Sequence, residues 1–194
     1  MMSSQCRPTN VTKSSIGIIT FWAWLIVSTL GYASDSSQML TPPKVPDALK
    51  VPPTEKLAFA VKARGFQIYT WQPKKDNPSQ YEWVFKAPEA DLFDASGKKI
   101  GHHYAGPTWE SNDGSKVIGE LKNHLPSTDE SAVPWLLLSA KEHVGTGIFS
   151  HVTSIQRLKT VGGKAPLAGP IPPNTSAEIR VPYTATYYFY VPKT

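Results

Sequence analysis

The sequence predicts an all-β protein, a single-domain antiparallel sandwich or barrel with long Gly/Pro-rich loops. Three observations carry this. Short segments of alternating polar and apolar residues recur every 10–15 residues. Turn signals built on Gly, Pro, Asn and Asp separate them. No long amphipathic helix intervenes, so the crossover connections that a parallel sheet needs are missing.

The elements follow in chain order. Residues 1–15 carry Arg7 and Lys13 and no acid, and an uncharged apolar run follows, Ile16 to Leu30. Small residues stand at Gly31 and Ala33. A basic start, a short apolar stretch and a small-x-small end form the pattern of a secretory signal peptide cleaved near Ala33. The run falls short of the roughly 20 residues that span a bilayer. Residues 1–33 are therefore expected to be a signal peptide, with the protein periplasmic or extracellular afterwards and at a membrane only during export. Cys6 precedes the apolar run, so it is not placed for lipoprotein acylation.

Residues 34–53 contain five prolines among small polar residues. Proline fixes φ and removes a donor, so this reads as an extended segment or tether, with "DALK" able to make one turn. Residues 54–194 are the expected β-rich domain. Leu57, Phe59 and Val61 alternate on the way into "GFQIYTWQ". In "YEWVFKAP", Tyr81, Trp83 and Phe85 share one face, with Glu82, Val84 and Lys86 on the other. "EADLFDASGKKIGHHY" predicts a hairpin looped by "DASGKK", where Asp94 bonds its own backbone and Gly97 takes a left-handed φ. "SNDGSKVIGEL" repeats the device at Asp113-Gly114. "VPWLLLSAKEH" predicts a buried strand bounded by Pro134. "IFSHVTSIQRLKT" alternates throughout and predicts a strand over its whole length. "VGGKAPLAGPIPPNTS" is a long loop, and "AEIRVPYTATYYFYV" predicts closing aromatic strands with Pro182 at an edge or a strand start.

Composition narrows the chemistry. The formal charge is +5, and +3 once Arg7 and Lys13 are lost. This is a mildly basic surface with no basic stripe for nucleic acid. The only cysteine is Cys6, so the domain has no disulfide, thiol chemistry or cysteine-bound metal.

The segments "GFQIYTW", "WVFKAPEADLFDASGKKIGHHYAGPTWESNDGSKVIGE", "VPWLLLSA", "VTSIQRLKTVGGKAP" and "VPYTATYYFY" resemble, in the same order, a family of exported bacterial and fungal proteins known only as a domain of unknown function. The resemblance covers about Phe59 to Tyr190. It implies one exported β-rich domain without an established activity. Some fungal relatives bear a malate dehydrogenase label, but no G-x-G-x-x-G follows a strand here and no βαβ unit could hold a dinucleotide. Many family members carry a cysteine after "QIYT" and another after "GGKAP", where this chain has Trp71 and the Gly169–Pro170 region. If those cysteines pair, the two segments lie close in space.

The candidate site is "GHHYAGPTWESNDGS", Gly101 to Ser115. Adjacent His102 and His103 on a strand point to opposite faces, so they do not ligate one metal together. No metal and no cofactor is expected. His103, Tyr104, Trp109 and Glu110, with Arg157, form the expected ligand-binding set for a small molecule or glycan: aromatic faces give area and polar neighbours give orientation. An acid–base hydrolase or lyase using Glu110 and His103 is an alternative. A structural envelope protein, with Trp109 in the core and Gly106-Pro107 as a plain turn, is another. Arg157 can pair with Glu110 or Asp91 as an ordinary buried ion pair, or as readily clamp an anion. Oligomeric state is not readable from the sequence.

Overall fold

The computed structural model describes residues 41–167 and 177–193. Residues 1–33, expected to be a signal peptide, with Cys6 among them, and the Gly169–Pro170 region lie outside the described residues.

The domain is a closed barrel. Its eight strands among the described residues are β1 (Glu55–Pro73), β2 (Tyr81–Phe93), β3 (Lys99–Tyr104), β4 (Thr108–Ser111), β5 (Lys116–Leu125), β6 (Trp135–Val144), β7 (Ser154–Gly162) and β8 (Glu178–Pro192). Each pairs antiparallel with the next, and β8 returns to β1. Closure removes the exposed edges that an open sheet would leave. Of the two architectures expected from the sequence, the barrel is the one formed.

The turns arise as their residues dictate. Asp94 accepts from the Ser96 and Lys98 amides while Gly97 takes φ 83°. Asp113 accepts from the Ser115 amide and hydroxyl, with Gly114 at φ 87°. Asp113 also reaches the Ile148 amide, and the Ser115 hydroxyl accepts from the Phe149 amide. These bonds hold residues 148–153 in turns, so the strand predicted from Ile148 begins only at Ser154. Pro182 lies inside β8, but the β7 ladder stops at Tyr183, so β8 is bordered there by β1 alone. This local edge tolerates the missing donor.

Asp113 gives a pH prediction. Partial burial pushes its carboxyl up, but the Ser115 hydroxyl, the Ile148 and Ser115 amides and the Ser111 hydroxyl outweigh this and bring it to about 2. A group depressed on folding adds stability above its unfolded value of 3.8, and that stability is lost as pH falls through about 2. Asp113→Ala should therefore be less stable than wild type at neutral pH, with the gap closing between about pH 4 and 2. Urea unfolding across that range checks it; a gap independent of pH would contradict it.

Two apolar clusters hold the barrel. The interior one joins Val61, Leu92, Trp109, Leu138, Phe149, Ile155, Tyr187 and Phe189. The second lies outside the wall. There a single 3-10 turn, Asp47–Leu49, sets Leu49, wholly buried, among Ala60, Leu158, Tyr188 and Tyr190. Gln156, outward-facing on β7, donates to the Leu49 carbonyl at 2.6 Å and accepts from the Tyr190 hydroxyl at 2.7 Å. Val45, Leu49 and Val51 thus pack on the barrel.

Candidate functional site

The site is built on the β3–β4 hairpin. Gly106 turns the chain at φ 127°, and the Gly119 amide donates to the Pro107 carbonyl at 2.9 Å. The register sets His103 opposite Trp109, and His102 opposite Glu110. Directly opposed residues share a face, so strand alternation sends the two pairs to opposite sides of the wall.

His103 and Trp109 enter the barrel. They are 2% and 1% exposed, and their rings stack at 4.5 Å and 13°. Tyr187 meets both edge-on, at 5.0 and 5.2 Å. Nδ1–H of His103 donates to the Thr108 carbonyl at 2.8 Å, which leaves Nε2 as an acceptor. Burial lowers the imidazole from 6.5 to about 3; the Thr108 carbonyl opposes the shift and the nearby Arg157 charge adds to it. His103 is therefore neutral at physiological pH. Gly119 makes room for the indole, since a Cβ there would sit 2.9 Å from the Trp109 ring.

Tyr104 and Glu110 face the other way, over an outer groove beside Arg64, Phe66 and Asp91. The Tyr104 hydroxyl donates to Glu110 at 2.8 Å, and Lys116 pairs with the same carboxylate at 3.1 Å. The Tyr104 hydroxyl and then Lys116 lower the Glu110 carboxyl below its ordinary value. An ionised carboxylate tied to two donors is poorly suited to act as a general acid. His102 pairs outside with Asp91 at 3.2 Å. The structure thus brings His103 to Trp109 and Tyr104 to Glu110, but does not bring the four together. The wall of the barrel separates His103 from Glu110, and no acid–base pair forms between them.

Arg157 departs from its ion-pair reading. It pairs with neither Glu110 nor Asp91, which are taken by Lys116 and by Lys99 and His102. Arg157 lies opposite Leu136 and Tyr187 on the inner face of β7 and is 8% exposed. Its Nε and Nη2 donate to the Pro134 carbonyl at 3.1 and 2.9 Å.

His103, Trp109 and Arg157 line one cavity of about 500 Å³ with Gln67, Leu136 and Tyr187. Phe85 and Leu121, 50% and 52% exposed, stand at its mouth with Gly106 and Pro107. The wall is mostly hydrocarbon and aromatic carbon. Gln67 and Tyr187 are site residues that the sequence did not reveal. Each sits in an aromatic or β-branched strand segment that reads as plain core, and only the inward face of its strand distinguishes it. Among the described residues no group of three or more His, Cys, Asp or Glu could hold a metal ion. The Trp71 amide donates to the Ala177 carbonyl at 2.8 Å.

A family model described as "Protein of unknown function (DUF3455)" matches residues 52–191. No curated protein and no solved structure matches the chain.

Proposed function

The chain belongs to this family of proteins of unknown function, and with no relative to supply an activity we propose that it is a non-catalytic binding protein holding a small, largely apolar molecule inside its barrel. One observation carries the reading: the barrel is packed by Phe149, Ile155 and Phe189, yet keeps a cavity of about 500 Å³ between Trp109 and Arg157. Ligand pockets typically enclose about 300–1,000 Å³ and are mainly apolar with a few placed polar groups. Eight-stranded barrels have room either for their own side chains or for one small ligand. Exposed Phe85 and Leu121 give the cavity an apolar mouth.

A glycan suits the cavity less well than an apolar molecule. Sugar hydroxyls need many partners, and this wall offers few. Tyr104 and Glu110 belong to the outer face and take no part in this reading. Export to the periplasm or the medium is part of the proposal and rests on Arg7, Lys13, the Ile16–Leu30 run and the small residues at Gly31 and Ala33.

The test is titration with decan-1-ol, followed by tryptophan fluorescence. Trp109 lines the cavity, so its emission should change with saturable binding. Leu136→Trp fills the same space from β6 and should abolish that binding while thermal unfolding remains cooperative. Saturable binding that survives Leu136→Trp, or no binding by wild type, would sink the cavity reading.

A further inference from the structure

The polar groups left over inside the barrel indicate the charge of the ligand. Arg157 has no carboxylate within ion-pair distance among the described residues. Its hydrogen bonds go to a neutral carbonyl, which neutralises no charge. A guanidinium stays protonated in proteins, and a buried unpaired charge is costly. His103, the nearest titratable imidazole, is neutral and donates Nδ1–H to Thr108. It neither competes with Arg157 for an anion nor balances its charge.

Three more donors stand in the same cavity. The Gln67 side-chain amide nitrogen, the Tyr187 hydroxyl and the Trp109 indole Nε1 are buried without a hydrogen-bond partner among the described residues. Gln67, Tyr187 and Arg157 are linked through side chains in contact: Gln67 adjoins Tyr183, Tyr183 adjoins Tyr187, and Tyr187 adjoins Arg157. None of these contacts gives the Tyr187 hydroxyl a well-formed hydrogen bond. Buried polar groups are normally satisfied, so several orphaned donors beside one unpaired cation form a socket for an acceptor that carries negative charge. The remaining wall, from the Trp109 ring and Leu138 to Phe85 at the mouth, is mostly apolar; Lys86, which also lines it, is paired with Glu178.

We propose that the cavity binds an amphipathic monoanion: its oxyanion head, a carboxylate in the simplest case, sits on Arg157, Gln67 and Tyr187, and its apolar tail runs past Trp109 toward Phe85 and Leu121. This rests on the cavity reading above and adds the charge of the ligand to it.

The test compares decanoate with decan-1-ol by isothermal titration calorimetry at neutral pH. Wild type should bind decanoate roughly tenfold tighter or more, the ratio expected of one charge-assisted hydrogen bond. Arg157→Met, close in length and uncharged, should lose that preference and still bind the alcohol. The comparison on wild type needs no variant, so the test stands even if Arg157→Met fails to fold. Equal affinity of wild type for both probes overturns the charge assignment and leaves the cavity reading intact. So does an undiminished decanoate preference in a folded Arg157→Met. If neither probe binds, the cavity reading itself fails. Decyl sulfate, a monoanion like decanoate, is the third arm. Binding of it at least as tight as decanoate assigns the head to sulfate esters within the same anionic class.

Discussion

Trp109→Ala should destabilise the domain by about 3–5 kcal/mol, the cost typical of deleting a fully buried large aromatic. The indole is 1% exposed and touches the rings of His103, Tyr187 and Phe189. Gly119, in contact with the ring, has no side chain that could relax into the void. Removing the ring also strips His103 of its stacking partner and merges the new void with the interior cavity. Trp109→Phe keeps an aromatic disc and should cost clearly less. Urea unfolding followed by circular dichroism measures both. A Trp109→Ala loss below about 1 kcal/mol would show that the interior is not packed around this residue.

Leu49→Ala should cost about 2–5 kcal/mol although Leu49 precedes the first strand. Its side chain is wholly buried against Leu158, Tyr188 and Tyr190 on the outer wall. Its carbonyl accepts from Gln156, whose own oxygen accepts from Tyr190. The segment thus seals a polar pair that would otherwise be buried and half-satisfied. The same unfolding measurement decides it. An unchanged midpoint would mean that residues 45–51 are only a leader to the barrel.

Much of the fold is legible in the sequence because it rests on local physics. Alternation marks the strands, and Asp94-Gly97 and Asp113-Gly114 carry their turns in their own side chains. Barrel closure is not local. It depends on β1 pairing with β8, more than half the chain away, and no short segment encodes that. The 148–153 turn is similarly hidden, since Asp113 and Ser115 hold it from another part of the chain.

The candidate site was partly legible for the same reason. Adjacency alone sends His102 and His103 to opposite faces. Whether Glu110 shares the face of His103 depends on the register across Ala105–Pro107, which composition does not reveal. The register pairs His103 with Trp109 and so sends Glu110 outside. Arg157 is recognisable as a candidate, but the sequence leaves open whether it forms a buried ion pair with Glu110 or Asp91 or stands ready for an anion. That its charge is left unpaired among the described residues follows only from which residues face inward on β6, β7 and β8.

The central claim is that the interior cavity, and not the outer face of the hairpin, holds the ligand. A crystal structure grown with decanoate tests it most directly. The predicted result is density inside the barrel, with the carboxylate within hydrogen-bond distance of the Arg157 guanidinium and the tail alongside Trp109 toward Phe85. An empty interior with density in the outer groove beside Tyr104 and Glu110 would contradict it.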